Sequence, residues 1–337
     1  MRKIRQAAIA IGPHAGAHRV ALRAATSIAV PLLILLLLDR MDLSIYASFG
    51  SLTSLYGRFH YYGDRLRMQL GAGTVFVTVM LVGTLLAVVD AQVTVRIMVV
   101  AVIAALVTGI ASGYQWHPGG ATFSVFAAGA VATMPADWIH VAYVLIVGSS
   151  SVLFSLALTA VLGLVRTRSF TAVFSPLKPA VYQADWSVPV TVGVGALLAG
   201  LIGQTVDDEH WYWAMVAASV VLAGKATTFR LTRSLQRFVG TSLGVLIAAG
   251  LLWLELPTLG LIAVVILLQG SAELLIGRNY GIAMLVVTPL ALLMISLASP
   301  IAPETLVIDR VFETFIGSLI GTVVALISAR MRTQQPR

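Results

Sequence analysis

Apolar residues run through this chain in stretches of spanning length, broken at short intervals by Gly, Pro, Asp and Arg. A helix that crosses the hydrocarbon of a bilayer needs about 20 apolar residues, which sets the window for reading them. Twelve stretches qualify, near 20–38, 42–57, 68–89, 92–112, 119–135, 138–165, 187–204, 210–224, 238–255, 258–276, 280–298 and 305–329. The second and eighth are short. They rank as crossings because omitting either would put basic loops on the wrong side, and Leu43 to Tyr56 can also be read as a re-entrant segment. The expected fold class is all-α, a polytopic membrane protein with about twelve transmembrane helices.

The pattern also repeats. Tyr46-Ala47 and Gly57-Arg58 align with Trp213-Ala214 and Gly224-Lys225 at an offset of 167 residues. After a two-residue insertion, Leu66 to Gly71 aligns with Leu235 to Gly240, and Gly148 with Gly317, at an offset of 169. The expected organisation is a first six-helix membrane repeat over 1–165, a basic, Pro-containing cytoplasmic linker over 166–186, and a second six-helix repeat over 187–337. An even number of crossings returns each half to the same side. The halves are then parallel repeats about a pseudo-two-fold axis along the membrane normal, with a substrate route between them.

Composition agrees with this pattern: 58% of the residues are hydrophobic and 11% charged, whereas soluble domains carry about 25% charged residues. About 250 residues lie in lipid by this reading, so roughly 85 remain for loops and tails, and no separate soluble domain fits. The net charge of +8 becomes informative once it is placed on the topology. With the N-terminus inside, eighteen of the 22 Lys and Arg fall on inner segments, while Asp39, Asp42, Asp90, Asp137, Asp207, Asp208, Glu209, Glu255 and Glu304 fall outside. That is the distribution expected of a multi-pass protein of the cell membrane with both termini cytoplasmic, and it removes the need for a nucleic-acid partner. The basic start, Met1 to Gln6, precedes an apolar stretch, Ala7 to Ile11, too short for a signal-peptide core, so no cleavage is expected. There are no cysteines, and the six histidines lack metal-site spacing, so neither metal nor cofactor is expected.

Charges within the spans carry the candidate chemistry, because each is expensive at membrane depth unless it faces a cavity or a partner. Arg310 and Glu313 lie one turn apart on the last span. They form either a structural pair near the outer boundary or a transport site, in which the planar fork of Arg310 binds a carboxylate and Glu313 couples to protons. Gln269 and Glu273, at i and i+4, make a polar strip on the tenth span, with Glu273 a second candidate for proton coupling. Arg23 and Arg96 sit near helix ends, where snorkelling competes with a place in an anion path. Under the repeat, Arg310 faces Val141, Glu313 faces Val144 and Arg23 faces Val190, so a site lies off the pseudo-axis. Trp211, Tyr212 and Trp213 read as an interfacial aromatic belt or as stacking groups for an aromatic substrate. Thr288-Pro289 marks a kink in the eleventh span that could frame a site, while Gly240-x-x-x-Gly244 and Gly317-x-x-x-Gly321 read as packing.

Several of these segments together resemble a known family. Tyr212-Trp213-Ala214, Gly224-Lys225, Arg233 to Gly244, Asn279-Tyr280-Gly281 with Thr288-Pro289, and Arg310-x-x-Glu313-Thr314-x-x-Gly317 are similar to the fusaric acid resistance and aromatic acid exporter proteins. The resemblance covers both halves, the first in degenerate form, and extends distantly to plant malate channels, dimers of one six-helix unit. It implies an exporter of small organic anions, aromatic carboxylic acids in particular. The soluble domains of larger family members have no counterpart in this chain. A passive anion channel and a membrane scaffold are the alternatives. No phosphate-binding loop of the G-x-x-x-x-G-K-[ST] kind and no convergent acid, base and nucleophile occur, so an enzyme is not expected. The expected partners are the lipid bilayer and the anion, with a homo-oligomer left open.

Overall fold

The computed structural model describes residues 12–14, 16–174, 185–206, 209–223, 227–299 and 303–333. Met1 to Gln6, Ala7 to Ile11, Lys178 in the linker, Asp207-Asp208, the Gly224-Lys225 end of the repeat alignment and Arg337 lie outside the described residues, as do the side chains of Glu304 and Arg332. Among the described residues every regular element is helical. The first half holds α1 (Ala17–Leu37), α2 (Ser44–Ser51, flanked by 3-10 turns at Met41–Leu43 and Leu52–Leu55), α3 (Tyr62–Val88), α4 (Val93–Gly113), α5 (Thr122–Thr133) and α6 (Trp138–Thr167), with a single turn at Phe170–Val173 after it. The second half holds α7 (Ser187–Gly203), α8 (Tyr212–Leu222), α9 (Thr227–Trp253), α10 (Thr258–Leu275), α11 (Tyr280–Ala298) and α12 (Pro303–Thr333).

Among the described residues, eight of these helices are long and apolar enough to cross a membrane: α1, α3, α4, α6, α9, α10, α11 and α12. The other four expected crossings hold shorter helices. The shortest lie in 42–57 and 210–224, where α2 has 8 residues and α8 has 11. At 1.5 Å per residue α8 is about 16 Å long, roughly half the hydrocarbon thickness. Every residue of α2 and α8 is buried. Backbone outside a helix is tolerated at membrane depth only where protein or a water-filled cavity surrounds it, which is the setting of these two short helices. The long helices instead turn large apolar side chains outward, among them Leu106, Leu153, Leu246, Leu267 and Leu319.

The halves are joined chiefly by α1 on α10 and α4 on α7, with α5 on α8 and α2 on α11 beside them. Within the halves α3 packs on α5 and α6, and α9 packs on α11 and α12. The short helices sit against the last long helix of their own half, α2 on α6 and α8 on α12. Glycine permits both crossings: a Cβ on Gly50 of α2 would lie 2.7 Å from the Gly148 carbonyl oxygen of α6, and one on Gly317 of α12 would strike the Ala214 carbonyl of α8. A π turn over Val144–Gly148 interrupts α6 at the positions that align with Glu313 to Gly317.

Helix α9 begins eleven residues before the expected 238–255 stretch. Apolar content alone set that expected start, and the segment before it is mostly polar. Its Thr232 and Arg237 are buried in the protein, so this polar stretch is helical without presenting them to lipid.

Candidate functional site

A cavity of about 1190 Å³ lies within the bundle. Four consecutive helices of the second half supply its arginines and its buried carboxylate: Arg233 and Arg237 on α9, Gln269 and Glu273 on α10, Tyr280 at the start of α11, and Arg310 on α12; the first half adds His60, Thr108, Gln115 and His117. Aromatic and aliphatic surface completes the wall, chiefly Trp116, Phe126, Trp213, Leu52, Leu55 and Met294. Apolar walls with a few convergent polar groups are the usual make-up of a small-molecule site.

Arg310 is the most constrained of these groups. It is 3% exposed, and its guanidinium carbon stands 3.7 Å from the centre of the Trp213 ring, a cation–π contact. Among the described residues neither Nε nor Nη1 of Arg310 has a hydrogen-bond partner. Arg237 is 4% exposed; its Nη1 donates to the Tyr280 hydroxyl at 3.0 Å, while its Nε has no partner among the described residues. The charges of Arg237 and Glu313 both act on Arg310, so the three lie within electrostatic reach of one another. Glu313 is fully buried one turn further along α12 and does not line the cavity. Arg233 stacks on the other aromatic of the group, with its guanidinium carbon 4.1 Å from the Tyr280 ring centre.

Glu273 occupies a different position. It lines the cavity but pairs with Arg58, which follows α2 in the first half, at 3.0 Å, and Arg58 also donates to the Glu273 carbonyl at 2.6 Å. Gln269 stands beside it in the wall. Arg23 leaves the cavity altogether: it is buried, with Nε and Nη2 donating to the Ser54 carbonyl, so it ties α1 to the turn after α2 rather than snorkelling. Arg96 likewise acts as a strap, donating to the carbonyls of Ala91 and Ala132 and pairing with Asp90.

The interfacial-belt reading of Trp211, Tyr212 and Trp213 does not hold, because all three side chains are buried and a belt residue must reach the headgroups. Trp213 lines the cavity, packed at 4.5 Å from Phe126, and Tyr212 stacks behind it on Phe126 at 6.2 Å without lining the wall. Thr288 is also buried outside the wall, where it fills the space left by Gly244: a Cβ there would lie 2.9 Å from Thr288 Cβ. Four expected site residues, Arg310, Trp213, Gln269 and Glu273, thus share one cavity, with Glu313 buried behind them. Arg237 and Tyr280 are site residues that hydropathy passed over. The sequence signal for Arg237 was its i, i+4 spacing with Arg233, which puts both on one face if the helix starts early.

The arginines of this wall, with Gln269, Glu273 and Tyr280, fall within one matched segment. Residues 198–324 match the fusaric acid resistance protein-like family. Among curated proteins the chain is similar to the uncharacterized membrane protein YvaC of Bacillus subtilis (strain 168), 29% identical over 143 residues. That stretch is 41% of this chain and 23% of YvaC, so the chain matches under a quarter of the length of its curated relative. No solved structure matches. The fusaric acid resistance-like segment begins within α7, ends within α12 and contains Trp213, Arg233, Arg237, Gln269, Glu273, Tyr280, Arg310 and Glu313.

Proposed function

We propose that this membrane protein is a secondary transporter that exports small organic anions, aromatic carboxylates first among them, through the cavity lined by Arg237 and Arg310. The observation that carries the proposal is the buried Arg310 guanidinium, held over Trp213 with two N–H edges unpaired among the described residues. An unpaired buried donor costs about 1–3 kcal/mol, and more when charged, so an anion that accepts from it gains what the empty site lacks. A carboxylate accepts two parallel N–H bonds from a guanidinium, and an attached ring would find Trp213, Phe126 and Trp116 beside it. The family match supports transport in general and the resemblance to aromatic acid exporters supplies the ring. Transport rather than catalysis fits a wall whose buried carboxylate, Glu273, is held by Arg58.

The remaining parts of the proposal are topological. The contacts pair off under the 167 and 169 offsets: α1 on α10 corresponds to α7 on α4, and the Gly50 to Gly148 crossing corresponds to that of Ala217 with Gly317. This correspondence supports two parallel six-helix repeats, and the placement of Lys and Arg supports both termini on the cytoplasmic side of the cell membrane. Glu313, buried beside the anion site, is the group proposed to couple export to protons.

Isothermal titration of the purified protein with benzoate tests the site. Arg310→Gln and Arg237→Gln should each weaken binding about ten- to a hundredfold, the worth of a charged hydrogen bond, while benzamide should bind poorly to the parent protein. Equal affinity for benzoate in parent and variants would remove the cavity from anion recognition.

A further inference from the structure

A second cavity, of about 570 Å³, opens at the end of the bundle where α1 and α3 begin and α6 and α10 end. Six arginines line it, Arg19, Arg23, Arg58, Arg65, Arg166 and Arg278, and no Asp or Glu does among the described residues. Backbone carbonyls orient four of them. Arg23 donates to Ser54 at 3.0 Å, Arg58 to Glu273 at 2.6 Å, Arg65 to Gly57 at 3.0 Å and His60 at 2.9 Å, and Arg278 to Gly12 at 3.2 Å. The carboxylate of Glu273, reached through Arg58 from the other cavity, is the acid that meets this group. The charges of Arg65 and Arg58 act unfavourably on Arg23, and that of Arg166 acts unfavourably on Arg65. Such a cluster is held together by packing and gains from an anion placed inside it.

The rest of the wall says what kind of anion. Leu22, Leu162 and Val165 line the same cavity and are exposed, Leu22 by 71% and Val165 by 73%, on the outward apolar flanks of α1 and α6. A small soluble phosphate has no use for that rim. A lipid does, because its phosphate would enter among the guanidinium groups while its chains stay on the apolar flank. Basic pockets between transmembrane helices suit such headgroups.

We propose that this cavity binds one anionic phospholipid, with the headgroup phosphate held by Arg19, Arg65 and Arg166 and the acyl chains lying on Leu22, Leu162 and Val165. The bound lipid lowers the repulsion within the cluster and ties the start of α1 to the end of α6. This site does not rest on the transport reading: of its lining residues only His60 also lines the Arg310 cavity.

Native mass spectrometry of the full chain, delipidated and then titrated with phosphatidylglycerol, phosphatidylcholine or inorganic phosphate, tests the proposal. The parent should retain one phosphatidylglycerol in preference to phosphatidylcholine. Arg19→Gln with Arg166→Gln removes two exposed charges, each worth about 1 kcal/mol towards an anionic lipid, so its affinity should fall about thirtyfold. Arg19→Lys with Arg166→Lys should retain binding, and so should Arg168→Gln with Arg330→Gln, which lowers the net charge equally outside the cavity. Equal retention of the two lipids, an unchanged affinity in the Gln pair, an equal loss in the Arg168 and Arg330 pair, or full displacement by millimolar phosphate would each overturn it.

Discussion

Arg310 combines three properties that rarely coincide in one residue: burial, an aromatic face beneath it, and N–H edges that nothing accepts from among the described residues. The first was legible in the sequence, as a charge inside an apolar run. The aromatic face was not, since Trp213 is 97 positions away and was as well suited to a membrane surface. Arg237 was hidden for the opposite reason. It lies in a mostly polar stretch that hydropathy assigns to a loop, yet the helix continues through it and turns it inward. If the planar fork and the stacking matter, charge alone will not suffice. Arg310→Lys should still lower benzoate affinity about tenfold or more, because an ammonium neither stacks flat on Trp213 nor donates in parallel to both carboxylate oxygens. Titration calorimetry on that variant, set beside Arg310→Gln, separates fork from charge.

At the scale of elements, hydropathy located the helices well and measured the short ones poorly. It counts apolar residues, and a segment buried in protein is as apolar as one facing lipid, so 42–57 and 210–224 predict longer helices than α2 and α8. The glycine pattern, by contrast, held its meaning: Gly317 lets α12 lie against the α8 backbone at Ala214. Gly317→Val should therefore lower stability by about 1–3 kcal/mol or more, read as thermal unfolding in detergent, since a backbone carbonyl has less room to yield than a side chain. Helix ends offer a pH-dependent case at the start of α6. Asp137 caps that helix by accepting from the Ile139 N–H at 3.2 Å, and His140 Nδ1 lies 2.7 Å from its carboxylate. This contact with His140 holds the Asp137 carboxyl below its ordinary value. A depressed folded value means that the stabilising contribution is present above the unfolded carboxylate range and is lost as pH falls through the folded value. Amide exchange at residues 138–141 should accelerate in acid below that range in the parent, and Asp137→Asn should flatten the profile.

For the whole molecule, the sequence repeat has a counterpart in how the helices pack. The offsets of 167 and 169 pair the contacts α1 on α10 with α7 on α4, and they also foretold an uneven distribution of polar groups. The arginines lining the cavity all come from the second half, while the first supplies Phe126, Trp116, Leu52 and Leu55 together with His60, Gln115 and His117. A proposed path between unequal halves, only one of which brings arginines, suits the binding of an aromatic anion. Proton coupling belongs to this scale because it requires the buried Glu313 to exchange with water on both sides as the halves move. Proteoliposomes loaded with a benzoate-like acid, with and without an imposed pH gradient, test the account most directly. It predicts uphill movement that depends on the gradient, is lost in Arg310→Gln, and continues without gradient dependence in Glu313→Gln. Flux that follows only the anion's own gradient, as conductance, and is indifferent to both substitutions would contradict it.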